Sequence, residues 1–428
     1  MNFPAVDRGS DRIQRSAIGV AAAASKFAPI LMGTAMAVYI GRRGGSPLAV
    51  SLVLALYFFG LMTFAPVWGA LADVTGRRRD VLLAVSALGA IAALPLVLVD
   101  GIWLPLTART VYAAFAAGYL PVMLAVVSDR GGAQARGRSV GFFSSAQAVG
   151  FTFGQLFAGV LLGLLAAPEL FGVVAAVSGL VLLAALVIED PNPDRHRRVA
   201  PRELGGEVKR RLFPSAAGRE HLYTNGLMWL YAATLLRNMT VLGTTSLLPV
   251  YIVGELGLSE FLMGALLAVN PAGQVATMYL VGEYADRLGR KPFITLGMAG
   301  SGAFAAAMAS AAFVPSAIGR AVVVAVGMAL LAGAFSGTRV GAVSFIGDVA
   351  PADRESELIG FRSTARGFGG MVGPALFGLA STVTSIELTY AVGSLLAFAA
   401  AVLTQFALVE SFDAPDDPVG VEPESDAD

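Results

Sequence analysis

The chain has 428 residues, 56% of them hydrophobic and only 14% charged, with a mean hydropathy of +0.71 and a net charge of zero. Soluble domains carry about a quarter charged residues, so a soluble globule is excluded, and the charge balance gives no basis for a nucleic-acid partner. There is no cysteine, which excludes disulfides, thiol catalysis and cysteine-based metal centres.

A polar tail, residues 1–15, opens the chain. It carries Asp7, Arg8, Asp11, Arg12 and Arg15 and lacks the short apolar core and cleavage site of a signal peptide. Apolar stretches long enough to cross a bilayer, which takes roughly 20 residues each, then follow in two sets. The first set runs near 16–40, 47–72, 80–99, 102–128, 138–165 and 169–189, and predicts a bundle over 16–189. A basic linker, 190–222, holds both histidines, His196 and His221, with Arg195, Arg197, Arg198, Arg202, Lys209, Arg210, Arg211 and Arg219. The second set runs near 223–254, 260–284, 291–314, 317–347, 357–383 and 386–409, and predicts a second bundle over 223–410. The tail 411–428 is acidic and is expected to be disordered. The expected class is an all-α polytopic membrane protein of twelve helices, embedded in a lipid bilayer. Its 50 glycines suit close helix packing.

Loop charge sets the expected orientation. The turns after spans 2, 4, 6, 8 and 10 hold Arg77–Arg79, then Arg130, Arg136 and Arg138, then the linker, then Arg287, Arg290 and Lys291, then Arg354. The opposite turns are poor in basic residues, apart from Arg42 and Arg43. Cytoplasmic loops carry the Lys/Arg excess. Both termini and the linker are therefore expected inside, in a plasma-membrane protein.

Two of the basic turns are copies of one another. GALADVTGRRR contains Gly69, Asp73, Gly76, Arg77 and Arg78, and GEYADRLGRKP contains Gly282, Asp286, Arg287, Gly289, Arg290 and Lys291. The repeat extends further. At one common offset Asp129, Gly141, Phe142, Gly150, Gly154 and Gly159 recur as Asp348, Gly360, Phe361, Gly369, Gly373 and Gly378. Tyr39-Ile40 recurs as Tyr251-Ile252. Internal repeats of this kind mark secondary transporters, with the substrate site between the halves near the bilayer midplane.

On these residues the chain resembles the major facilitator superfamily over about 16–410. That family carries Gly-x-x-x-Asp-Arg-x-Gly-Arg-(Arg/Lys) between helices 2 and 3, and more weakly between helices 8 and 9. Here the second copy is complete, while Val74 replaces the preferred arginine in the first. The resemblance implies two pseudo-symmetric six-helix bundles that rock about a central site, and an inner gate built on the duplicated turn. Asp73 would face the start of helix 11, near 357–361, and Asp286 the start of helix 5. Arg77 would pair with Asp129 and Arg290 with Asp348. Helices 1, 4, 7 and 10 would line the cavity, and 3, 6, 9 and 12 would be outer supports. The blander reading is that the turns only anchor loops.

Charge inside the membrane costs roughly 2.5–3.5 kcal/mol per residue on insertion scales, so buried charges point to function. No Asp or Glu falls in the middle of a span. The central charges are basic: Lys26 in helix 1, Arg237 at similar depth in helix 7, Arg109 in helix 4, Arg339 in helix 10 and Arg366 in helix 11. Lys26 and Arg237 lead as cavity residues. Arg109 is near enough to the outer end to snorkel instead. Asn270 and Gln274 share a face of helix 8, and Gln147 lies in helix 5; each suits interhelical bonding as well as substrate.

No phosphate loop is present, so ATP drive is not expected. No constellation of nucleophile, base or metal ligands appears, so neither an enzyme nor a cofactor is expected. The reading is a secondary active carrier of an anionic or polar small organic solute, working by alternating access and functional as a monomer. Proton coupling, lacking a mid-depth carboxylate, would fall to Lys26. One alternative is a drug/proton antiporter, although the Gly-Pro that family favours in helix 5 is here Gly154-Gln155, with Gly373-Pro374 in helix 11. Another is a transporter-like receptor or a lipid-moving protein.

Overall fold

The computed structural model describes residues 8–191, 205–208, 224–351 and 354–411. Most of the basic linker, with both histidines, and nearly all of the acidic tail lie outside the described residues. Twelve long helices are described: α1 Arg8–Arg42, α2 Pro47–Thr75, α3 Arg78–Ala93, α4 Trp103–Gly132, α5 Ala135–Leu164 and α6 Ala167–Val187, then α7 Leu227–Val250, α8 Glu260–Leu288, α9 Lys291–Ala311, α10 Ala317–Val349, α11 Glu355–Val383 and α12 Ile386–Ala407. Ten of them are long and apolar enough to cross a membrane; α7 and α11 are the more polar pair.

The boundaries follow from local chemistry. Four of the six helices that begin away from the basic turns start at a serine. Ser46 accepts from the Ala49 N–H at 3.3 Å, Ser259 from Leu262 at 3.3 Å, Ser316 from Gly319 at 3.1 Å and Ser385 from Leu388 at 3.1 Å. Each satisfies an amide that a helix start leaves without a partner. At α6, Glu169 reaches back to the Ala166 N–H at 3.1 Å. At the other ends α2 and α8 stop on Gly76 and Gly289, both at positive φ (66° and 94°), a conformation glycine adopts without steric cost.

Six helices form each bundle, with α3 beside α6 and α9 beside α12. The glycines of the repeat are spent identically in the two halves. A Cβ at Gly150 would lie 2.8 Å from the Ala23 Cα, and one at Gly154 3.2 Å from the Phe27 Cα, so α5 packs backbone-close on α1. Gly369 and Gly373 do the same for α11 on α7, against Leu235 and Met239. The third glycine of each set faces the other bundle: Gly159 meets Gly264 of α8, and Gly378 meets Leu48 and Ser51 of α2.

The core is joined at one face and divided at the other. Away from the basic turns, one cluster unites Leu31–Ile40 of α1 with Leu247, Leu248 and Tyr251 at the end of α7, and with α8, α9 and α10. Towards the basic turns it separates in two. One cluster centres on Ala21, Leu82, Met123 and Phe143 of the first bundle, the other on Leu230, Ile294, Phe345 and Leu358 of the second. The bundles thus meet at one face and part at the other, here called the basic face.

Candidate functional site

At the basic face the first copy of the turn is fixed by its arginines. Arg78, the first residue of α3, is ion-paired with Asp129 near the end of α4, both side chains 15% exposed, and donates to the Ala125 carbonyl at 3.3 Å. Arg79 donates to the Leu186 and Ile188 carbonyls, both at 3.0 Å, and so caps α6. Arg77 does not reach Asp129. It adopts a non-helical conformation at the cap of α3 and lies 3.9 Å from Asp80 in solvent. The expected Arg77–Asp129 pair is therefore corrected to Arg78–Asp129, because Arg78 is the residue whose position on the first turn of α3 faces α4. Asp73, in the last turn of α2, is exposed.

The second copy is wired differently. Arg290, which aligns with Arg77, pairs with Asp348 at 3.2 Å and donates to the Ala285 carbonyl at 2.7 Å. Arg287 bonds Glu283 one turn earlier at 2.8 Å, both exposed. Glu410, after α12, accepts from the Arg290 and Lys291 N–H groups at 2.9 and 3.0 Å, and the Ser411 hydroxyl donates to Asp348 at 3.0 Å. The side chain of Asp286 lies outside the described residues.

Between the parted bundles lies a cavity of about 690 Å³. Its lining runs from Ser25 and Lys26 at mid-depth of α1 to Glu357 in the first turn of α11, so it extends to the basic face. At the opposite face it is closed. There Gly41 packs on Val250, Gly159 on Gly264 and Gly378 on Ser51, and Arg42 is ion-paired with Glu260.

Lys26 and Arg366 line the cavity, as does Gln147. Arg339 is exposed and within electrostatic reach of both cations, and Arg362 lies close enough to feel Arg339 and Arg366. Among the described residues, Glu357 is the one acidic residue in the lining. Arg362 carries no motif and was not among the sequence candidates. The available signal was its i, i+4 spacing from Arg366, which puts both guanidinium groups on one face of α11. Its Nη2 donates to the Thr338 carbonyl at 3.2 Å, tying α11 to α10.

Arg237 sits behind the cavity, outside its lining. It is 4% exposed, donates from Nε to the Ser301 hydroxyl at 2.9 Å, and lies 5.8 Å from the centre of the Phe335 ring, with Arg339 at 5.9 Å from the same ring. Arg109 does not snorkel. At 2% exposure it donates to the Pro29 carbonyl at 2.9 Å and stacks 4.2 Å from the centre of Tyr57, a lining residue. Asn270 and Gln274 are outside the lining and bond each other at 2.9 Å.

The lining is also lopsided. Apart from α11, its residues come from the first bundle, including Val85, Ser86, Gly89 and Ala90 of α3 and Ser178 and Val181 of α6. The expectation that α3 and α6 act only as outer supports is corrected here.

Comparison with known proteins bears on the family and the fold. Residues 16–337 match the family model of the Major Facilitator Superfamily. The fold is that of the nucleoside transporter NupG (TM-score 0.73, 13% identity, 92% of this chain and 99% of that one). It is equally that of a bacterial homologue of the human lysosomal transporter Spinster, inward-facing and unoccupied (0.68, 16%, 94% and 96%). The inward-open xylose transporter XylE from E. coli also matches (0.69, 12%, 94% and 97%). With the matched region covering most of the chain, this protein belongs to the major facilitator superfamily and is a multi-pass membrane transporter of small molecules.

Proposed function

We propose that this transporter carries a small organic anion across the plasma membrane by alternating access. The observation that carries the reading is the cation set: Lys26 and Arg366 in the cavity wall, with Arg339 and Arg362 beside them, against a single carboxylate, Glu357, among the described lining residues. Like charges at this density repel one another and raise the affinity for a counter-charge. An anion seated between Lys26 of one bundle and Arg366 of the other links the two halves. That link supplies the differential contact a ligand needs to shift a conformational equilibrium.

The basic face is read as cytoplasmic, from its Lys/Arg excess, and the described state is then open to the inside. Closure would bring the Asp73 end of α2 towards the start of α11, where an anion is favoured by the free amides and the helix dipole. The test is a thermal-shift screen of the purified chain against organic anions, neutral sugars and nucleosides, and lipophilic cations, since stabilisation tracks ligand concentration over Kd. Anions should stabilise the protein and lose that effect in Lys26→Ala and Arg366→Ala. Stabilisation by cations or neutral solutes alone, unaltered in both variants, would refute the reading.

A further inference from the structure

Part of the cavity lining, here called the side branch, carries no charge. It consists of Val85, Ser86, Gly89 and Ala90 on α3 and Ser178 and Val181 on α6. Ser86, Gly89 and Ala90 follow the i, i+3, i+4 spacing of one helix face. Gly89 is buried, yet a Cβ placed on it would meet nothing within 4 Å. Buried helical glycines normally permit a close approach of backbones, as Gly150 and Gly369 do here. Gly89 borders empty space instead, at a position where alanine would favour the helix. The hydroxyl of Ser86, a residue only 6% exposed, has no hydrogen-bond partner among the described residues. Apolar surface left without packing partners and an unsatisfied buried hydroxyl each cost free energy unless something covers and satisfies them.

We infer that this branch receives the apolar body of the transported anion, so that the substrate is an amphipathic organic anion: a carboxylate or similar head group between Lys26 and Arg366, and a hydrocarbon or aryl portion against Val85, Gly89, Ala90 and Val181. This rests on the anion reading above and sharpens it. A small inorganic anion would use the cations and leave the branch empty. An amphipathic one uses both, and the Ser86 hydroxyl is available to a polar atom on its body.

Isothermal titration calorimetry of the full chain in lipid nanodiscs, against empty nanodiscs as blank, tests this with acetate, butanoate, hexanoate and octanoate. Hexanol and hexylammonium are the uncharged and cationic controls. Affinity should rise about fourfold per methylene, the equivalent of about 0.8 kcal/mol, until the branch is full. Gly89→Leu, which projects into the empty space, should flatten the series and leave the shortest anion unchanged. Val181→Ala, which enlarges the branch, should shift the optimum to longer chains and covers the case in which Gly89→Leu folds poorly. Binding that is independent of chain length, or a series unchanged by both variants, overturns the branch assignment and leaves the anion reading intact. Hexanol or hexylammonium binding as tightly as hexanoate overturns the anion reading itself.

Discussion

Arg78 holds Asp129 across the contact between α3 and α4, whereas in the matching turn of the second half it is Arg290, the counterpart of Arg77, that holds Asp348. The same motif is thus wired one residue out of register in the two halves. The pairs also differ in surroundings: the Asp348 carboxylate additionally accepts from Ser411, and Glu410 caps the backbone beside Arg290. The two basic turns are tied to their bundles by different means, so their loss has different consequences.

The first consequence concerns Arg78. With both side chains 15% exposed, Arg78→Ala removes the Arg78–Asp129 ion pair from a mostly buried site. The expected loss is about 1–3 kcal/mol, read as a lowered apparent Tm of the purified protein. Arg77→Ala, at a solvent-exposed position, should change stability by no more than about 0.5 kcal/mol. Equal effects of the two substitutions would contradict the register seen here.

Glu410 gives a second, independent expectation. Its carboxylate satisfies two amides at the start of α9, the Arg290 N–H at 2.9 Å and the Lys291 N–H at 3.0 Å. Glu410→Ala should cost about 1 kcal/mol, the usual worth of a helix cap, and Glu410→Gln less, since the amide oxygen still accepts. Thermal melting of the three proteins side by side gives the ranking, and an alanine variant as stable as the parent would remove the cap from the account.

How much of this was legible in the sequence depends on the range of the interaction. The twelve helices and the two-bundle fold rest on apolar run length and on a repeat of whole motifs, both visible one residue at a time. The Arg78–Asp129 register was not, because the backbone conformation of Arg77 at the cap of α3 decides it. Asn270 and Gln274 illustrate a different limit. Their i, i+4 spacing serves an internal hydrogen bond as readily as a ligand, and the internal bond is what forms. Arg237 lies one residue from the counterpart of Lys26 in the repeat, but Ser301 and Phe335 hold it out of the lining. The reach of the cavity to α3 and α6 depends on packing around Gly89, and no linear pattern announces it.

That difference between Lys26 and Arg237 predicts opposite outcomes on substitution. Lys26 lines the cavity and faces other cations. Lys26→Ala should therefore leave the unliganded protein at least as stable, while reducing anion affinity tenfold or more, about 1.4 kcal/mol. Arg237 is held in the interior by Ser301. Ser301→Ala, which strands a buried donor, should lower stability by about 1–3 kcal/mol with little effect on affinity. Melting curves with and without a bound anion separate the two, and a loss of stability in Lys26→Ala larger than in Ser301→Ala would reverse the roles.

The closed face supplies the last prediction. Its contact between bundles depends on glycine at the α5–α8 crossing, where a Cβ on Gly264 would lie 2.7 Å from the Gly159 Cα. Leucine at position 159 cannot be accommodated without separating α5 from α8. Since Gly159, Gly378 and the Arg42–Glu260 pair close the same face, separation at one crossing weakens the others, and the open form of that face gains population. The chain contains no cysteine, so a single one reports without background. Ser51→Cys lies fully buried in the α2–α11 crossing and should react slowly with a polar thiol reagent. Adding Gly159→Leu should raise its labelling rate about tenfold or more, the result of shifting the equilibrium by about 1.4 kcal/mol. A cysteine at Gly360, at the basic end of the cavity, should become less reactive in the same background, because alternating access closes one face as it opens the other. Faster labelling at both positions would mean that Gly159→Leu loosens the fold instead of switching its state.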